Sequence, residues 1–89
     1  MNKHKKYSLN NACFCEDIDD SLFILHSNTG QYHELNGSGR FIIKLLDSYA
    51  LSIDEIYKET KRSAFNIEKE SIAKFIQNLL NREIVIFTE

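Results

Sequence analysis

The spacing of apolar residues changes near residue 36, and this change divides the chain into two parts. Before it, short apolar runs bounded by turn residues predict strands at 12–18, 22–26 and 31–35. Residues 28–30 fit a short hairpin loop with a glycine in the left-handed region. The first part therefore predicts an antiparallel meander whose third strand, QYHEL, lies at an edge.

After residue 36 the apolar residues recur at helical spacing and predict three helices. The first follows a cap at Asn36 or Ser38. The second begins at a capping box in which Ser52 is followed three residues later by Glu55. The third is expected to run from a cap at Asn66 to about Arg82. Its apolar stripe is centred on Ile72, Ile76 and Leu79.

The order of these elements predicts an α+β domain of the winged helix-turn-helix kind over residues 12–89, with a three-stranded antiparallel sheet followed by three helices. Residues 1–11 are basic and carry no apolar run, so we expect a flexible N-terminal arm. Residues 84–87, IVIF, predict a short strand or a segment packed on the core.

Length and charge narrow the class of protein. The 89 residues are enough for one domain, and 43% of them are apolar. A formal net charge of -2 gives no basic face for nucleic acid. No run approaches the roughly 18 apolar residues that span a membrane. The basic N-terminus lacks the apolar stretch of a signal peptide, so we expect a cytoplasmic protein.

Two cysteines and two histidines are the only soft metal ligands on the predicted strands. Cys13 and Cys15 are expected to be free thiols in a reducing compartment. Together with His26 and His33 they match no zinc spacing. A three-residue loop would point the two histidines to opposite faces, whereas a two-residue loop would place them opposite each other. Nothing orients a cysteine–histidine pair for catalysis. We therefore expect no enzyme activity, metal or cofactor.

The register of the hairpin decides which side chains reach the core. A loop of residues 28–30 places Leu25 opposite His33 and leaves Ile24 and Tyr32 on the face away from the core. Alternation along the third strand puts His33 with Leu35 on one face, and we expect Leu35 to enter the core.

The edge strand and one flank of the third helix are the candidate binding surfaces. An edge strand displays unpaired backbone groups, to which an extended peptide can add as a further strand. On the helix flank, Phe75 is a candidate wall for an apolar side chain, and Arg82 or Lys74 is a candidate for binding a carboxylate.

Four segments in this order, TGQYHELN, FIIKLLD, SIDEIYKE and IAKFIQNLLNREIV, resemble the PqqD-like family of peptide-recognition elements of ribosomal peptide biosynthesis. The resemblance covers about residues 12–86. The chain departs from the family at Ile43, near which members often carry an aromatic residue, and at Glu83, where a glycine is usual.

The resemblance implies a non-catalytic domain that binds the leader region of a precursor peptide between the third strand and the third helix. It further implies presentation to a tailoring enzyme or leader peptidase, as in lasso-peptide pathways. The peptide-binding residues expected on this basis are Gln31, Tyr32, His33, Glu34, Leu35, Ser71, Lys74, Phe75, Asn78, Leu79 and Arg82.

Two other functions remain open from the sequence. A winged helix can bind DNA, but the charges of residues 66–83 balance, with Lys69, Lys74 and Arg82 against Glu68, Glu70 and Glu83. A general protein–protein adaptor would share every feature except the family resemblance. A homodimer formed by pairing of two edge strands is also open.

Overall fold

The structure is a computed structural model that describes residues 5–88. Within them, four strands precede three helices and a fifth strand follows. The elements are β1 (Lys6–Leu9), β2 (Cys13–Ile18), β3 (Ser21–His26), β4 (Tyr32–Leu35), α1 (Gly37–Ser48), α2 (Ile53–Arg62), α3 (Lys69–Asn81) and β5 (Val85–Thr88). The predicted α+β class, with a three-stranded antiparallel sheet and three helices, is confirmed. No helix among residues 5–88 is long and apolar enough to cross a membrane.

One hydrophobic core joins the three-stranded sheet to the three helices. The sheet has the order β2-β3-β4, with both pairs antiparallel. Its inner face contributes Ile24, and each helix contributes at least one buried isoleucine from its apolar stripe. The predicted stripe of α3 is confirmed, because Ile72, Ile76 and Leu79 are all buried.

The loop between β3 and β4 has four residues, so the register predicted from a three-residue loop is wrong. The backbone N–H of His26 donates to the carbonyl of Gln31 at 2.9 Å, which leaves residues 27–30 as the loop. Ile24 therefore pairs with His33. A slip of one residue exchanges the two faces of a strand. The longer loop buries Ile24 completely, while Leu25 stays 41% exposed on the other face.

A second, two-stranded sheet joins the two ends of the described chain. The expectation of a flexible arm does not hold for Lys6–Leu9, which pair with Val85–Thr88 as β1 and β5. Tyr7 also exchanges two backbone hydrogen bonds with Leu51. Leu9 is buried in the core, which explains why this short segment is ordered against a distant partner. Residues 1–4 of the predicted arm, and residue 89, lie outside the described residues.

The start of α2 agrees with the sequence-based prediction, whereas the start of α3 does not. The predicted capping box is confirmed, because the Ser52 hydroxyl accepts the Glu55 N–H and the Glu55 carboxylate accepts the Ser52 N–H. The predicted cap at Asn66 is wrong, since α3 begins at Lys69. The segment before it stays outside the helix and packs half-buried Ile67 against the core.

The chain leaves α3 through a left-handed turn at Glu83. The N–H of Ile84 donates to the carbonyl of Leu79, and that of Glu83 donates to the carbonyl of Leu80. These two bonds form a Schellman motif, whose left-handed residue is usually glycine. Glu83 occupies this position with φ 60. The chain therefore has a residue with a side chain where the backbone conformation favours glycine.

We predict that Glu83→Gly raises the melting temperature, because a left-handed L-residue costs about 1–2 kcal/mol and the extra freedom of glycine in the unfolded chain offsets about half of that gain. The net stabilisation should be about 0.5–1 kcal/mol, measured by thermal denaturation followed by circular dichroism. Glu83→Ala is the matched control, since it removes the carboxylate and keeps the Cβ. Equal stabilisation by both variants would contradict backbone strain as the cause.

Candidate functional site

An open groove runs between strand β4 and helix α3. It has a volume of about 390 Å³ and receives residues from both elements and from the start of the C-terminal segment. The lining residues are Tyr32, His33, Glu34, Leu35, Phe75, Asn78, Leu79, Arg82 and Ile84. The groove thus has an apolar floor and polar groups toward its rim.

Strand β4 forms the edge of its sheet, with β3 on one side only among the described residues. The backbone bond between His26 and Gln31 marks that pair as hydrogen-bonded. Such pairs alternate along an antiparallel ladder, so His33 directs its backbone groups to β3. By the same alternation Tyr32 and Glu34 direct their N–H and C=O groups away from the sheet, along its free edge.

The polar end of the groove brings Arg82 beside His33. Arg82 Nη1 lies 3.5 Å from His33 Nδ1, and His33 Nε2 lies 3.3 Å from the side-chain oxygen of Gln31. Partial burial, followed by the positive charge of Arg82 and then by the electrostatic interaction with the nearby His26 imidazole, lowers the pKa of His33. The imidazole is therefore neutral at pH 7. Among residues 5–88 no carboxylate forms an ion pair with Arg82, so its charge is available to a ligand.

A smaller apolar pocket adjoins the groove and shares Phe75 with it. This pocket has a volume of about 190 Å³ and is lined mainly by α1, α3 and the segment between α2 and α3. Gly39 lies close to the shared wall, since a Cβ there would be in van der Waals contact with Phe75 Cζ at 3.4 Å and with Leu35 Cδ2 at 3.5 Å. The lining residues are Ser38, Gly39, Ile42, Ile67, Ser71, Ile72 and Phe75.

The buried side chain of His26 connects the two walls of the groove. Its Nδ1 accepts the backbone N–H of Asn28 at 3.2 Å, so that nitrogen carries no proton. Its Nε2–H then donates to the carbonyl of Glu83 at 3.1 Å. Asn28 lies in the loop before β4, and Glu83 lies in the turn after α3. One imidazole therefore fixes the strand and the helix relative to each other.

Most of the predicted binding residues lie together around the groove. Eight of them line it, and Ser71 lines the adjoining apolar pocket. Gln31 lies at the end of the hairpin loop and contacts His33. Lys74 lines neither space, and its amine lies 3.6 Å from the carboxylate of Glu70 with the side chain 79% exposed.

Ile84 was not among the binding residues predicted for the groove, and of the residues that line the pocket only Ser71 and Phe75 were predicted. Ile84 lines the groove because the turn at Glu83 returns the chain toward the sheet, and the β-branched run after α3 was its only signal. Gly39 lies in the first turn of the amphipathic helix α1, and no sequence signal marked it as a residue of the pocket.

The cysteines and histidines share the inner face of the sheet, since Cys13 pairs with His26 and Cys15 pairs with Ile24. His33 also pairs with Ile24 and so lies on this face. The four-residue loop therefore gives neither of the expected arrangements: the histidines share a face, but His26 lies opposite Gln31. No three metal-ligating side chains cluster among residues 5–88. Burial, together with nearby acidic groups, raises the pKa of Cys15 to about 11. Both cysteines are free, and a protonated thiol is a weak nucleophile.

The fold and the groove define a small α+β domain with an accessible strand edge beside a helix. The chain belongs to the family described as Coenzyme PQQ synthesis protein D (PqqD), which matches residues 21–85. The resemblance inferred from the sequence is thereby confirmed.

Two solved structures have the same fold. One is TbiB1 in complex with the TbiA(beta) leader peptide, at 24% identity and a TM-score of 0.73, covering 88% of this chain and 93% of that one. The other is lasso peptide synthetase B1 complexed with the leader peptide, at 20% identity and a TM-score of 0.72, covering 90% and 96%. No curated protein matches the sequence at a significant level.

The lowered pKa of His33 predicts a pH dependence of stability. The folded state binds a proton on His33 less readily than the unfolded state, whose histidine has the ordinary value of 6.5. The contribution of His33 to the free energy of unfolding is therefore fully present above pH 6.5 and is lost as the pH falls through the lowered pKa. We expect His33→Gln to lose less stability than the wild type between pH 7.5 and 5.5 in urea unfolding. An equal loss in both proteins would contradict this assignment.

Proposed function

We propose that this domain binds the leader region of a ribosomally synthesised precursor peptide, which adds as a strand to the free edge of β4 beside α3. The observation that carries the proposal is the free edge itself, because the backbone groups of Tyr32 and Glu34 face an open groove. In this role the domain does no chemistry and presents the peptide to a tailoring enzyme or leader peptidase.

The groove suits an extended peptide in two respects. Main-chain hydrogen bonds to the edge supply affinity for any sequence, while the side chains of the peptide supply selectivity. Those that point toward α3 would meet Leu35, Leu79 and Phe75. An aliphatic or aromatic residue of the leader would extend past Phe75 into the apolar pocket, and an acidic residue would meet Arg82.

The similar structures support this proposal. Both contain a leader peptide, and one is named as a lasso peptide synthetase, which favours the lasso-peptide class of precursor. The order of a short hairpin beside three helices also supports the winged helix-turn-helix-like description of the domain. We place its action in the cytoplasm, where precursor peptides are made.

The direct test is titration of a fluorescent leader peptide, taken from the precursor encoded nearby, with the purified protein. We expect saturable binding with a Kd below about 10 µM, which corresponds to roughly 7 kcal/mol. Absence of saturation in that range would overturn the proposed function.

The edge is tested by replacing a single backbone donor. Glu34→Pro removes an N–H that points away from the sheet, where proline is tolerated, and should weaken leader binding about tenfold, the equivalent of one hydrogen bond. Glu34→Ala is the control, since it keeps the N–H and also loses the side-chain contact with Ser21. His33→Pro should instead destabilise the fold, because its N–H belongs to the β3–β4 ladder. Equal affinities for the Pro and Ala variants would exclude strand addition at this edge.

The charge in the groove is tested with two cations of α3. Arg82→Gln should weaken binding of an acidic leader about tenfold or more, because a charge-assisted hydrogen bond is worth about 1.5–3 kcal/mol. Lys74→Gln should leave the affinity within about twofold, because Lys74 is outside the groove and its pairing with Glu70 is exposed. Equal effects of the two substitutions would point to general electrostatic attraction rather than a carboxylate site.

A further inference from the structure

The outer face of the three-stranded sheet carries a contiguous row of apolar side chains. Phe14 pairs with Leu25, and Leu25 pairs with Tyr32, so the three lie side by side across β2, β3 and β4. The ring of Phe23, in the next row, lies 5.7 Å from the ring of Tyr32. We call these four residues, Phe14, Phe23, Leu25 and Tyr32, the outer-sheet patch.

The outer-sheet patch contradicts the usual pattern of such a sheet. An antiparallel sheet with one solvated face normally carries polar side chains there. Here Phe14 is 63% exposed and Tyr32 is 62% exposed. The helices bury the opposite face, and the β1–β5 pair is a separate sheet. Contiguous exposed apolar surface of this kind marks an interaction site more often than a structural accident.

The charges around the patch define the chemistry of its partner. Glu16 and Glu34 flank Phe23 on the neighbouring strands, and Asp19 and Asp20 occupy the turn between β2 and β3. None of the outward positions of β2, β3 and β4 carries Lys or Arg. An apolar centre with an acidic rim fits a protein surface that has an apolar centre and a basic rim.

The same charges disfavour three other occupants. Nucleic acid and an anionic membrane would be repelled by the carboxylates. A second copy of this face would bring glutamates against glutamates with no cation to pair them.

The position of the patch indicates what kind of protein binds there. Tyr32 and Glu34 belong both to this face and to the lining of the groove. A protein seated on the patch would therefore touch β4 next to a peptide bound at its free edge. We propose that the outer-sheet patch is the docking surface for the enzyme that processes the bound peptide, and that this enzyme docks through an apolar surface with a basic rim. This proposal rests on the proposed function of the groove.

The experiment measures enzyme binding and leader binding separately on the full chain. The probe is the purified leader peptidase or tailoring enzyme encoded beside this protein, and its affinity is measured by biolayer interferometry. The variants are Phe14→Ser and Glu16→Lys, both on β2 and outside the groove lining. Tyr49→Ser is the matched control, because Tyr49 is also 63% exposed but lies at the end of α1.

We expect Phe14→Ser to weaken enzyme binding by about tenfold or more, as truncation of an aromatic anchor of an interface does. Glu16→Lys should weaken it by about threefold or more, mainly through slower association. Tyr49→Ser should change nothing, and all three variants should bind the leader like the wild type. Circular dichroism verifies that each variant is folded. Phe14→Ser removes apolar surface and Glu16→Lys reverses a charge, so either variant alone tests the docking surface.

Several results would overturn the docking surface. Unchanged enzyme affinity in folded Phe14→Ser or Glu16→Lys is one, and an equal loss in Tyr49→Ser is another. A wild-type dimer that Phe14→Ser converts to a monomer, detected by analytical ultracentrifugation, would assign the patch to a second copy instead. Failure of the leader titration alone would refute the proposed function, because the enzyme measurement is made without the leader.

Discussion

The imidazole of His26 is the interaction on which the geometry of the groove depends. It is buried between the sheet and the C-terminal segment, and each of its nitrogens is committed to one backbone group. Nδ1 accepts from the loop that precedes β4, and Nε2 donates to the turn that follows α3. A side chain without this donor and acceptor would lose both hydrogen bonds, each worth about 0.5–1.5 kcal/mol, although the Glu83 carbonyl would keep its bond from Asn10. The spacing of the two walls is thus set at a point outside the groove itself.

The four-residue hairpin loop has consequences on both faces of the sheet. It directs Ile24 and His26 into the core and leaves Leu25 outside. It also decides that Tyr32 and Glu34, rather than His33, direct backbone groups to the free edge. The strands themselves were predictable from apolar runs and turn residues. Their register was not, because the sequence SNTG is compatible with loops of different lengths and only the burial of Ile24 selects among them.

Local signals predicted some features that a local interaction determines, although the cap predicted for α3 at Asn66 was wrong. The capping box at Ser52 is one example, since both of its hydrogen bonds lie within four residues. Pairing of β1 with β5 depends on two segments at opposite ends of the described chain, and no local sequence pattern predicts it. The lining of the groove was predictable in large part, because the edge strand follows from the apolar pattern and the family resemblance implies a site between that strand and α3. The apolar stripe of α3 did not fix the rotation that brings Arg82 to the groove and leaves Lys74 in solvent.

The carbonyl of Glu83 gathers three parts of the chain at one atom. It accepts the side-chain amide of Asn10 at 2.8 Å and the imidazole of His26 at 3.1 Å, just after α3 ends. Because this acceptor belongs to the main chain, every residue type at position 83 supplies it. These two hydrogen bonds therefore depend on the path of the backbone at residue 83 and not on the side chain there. Because the acceptor does not depend on the side chain, the turn tolerates a glutamate where glycine is favoured. Glutamate there lowers the stability of the turn, but the carbonyl still connects the strand, the helix and the N-terminal segment.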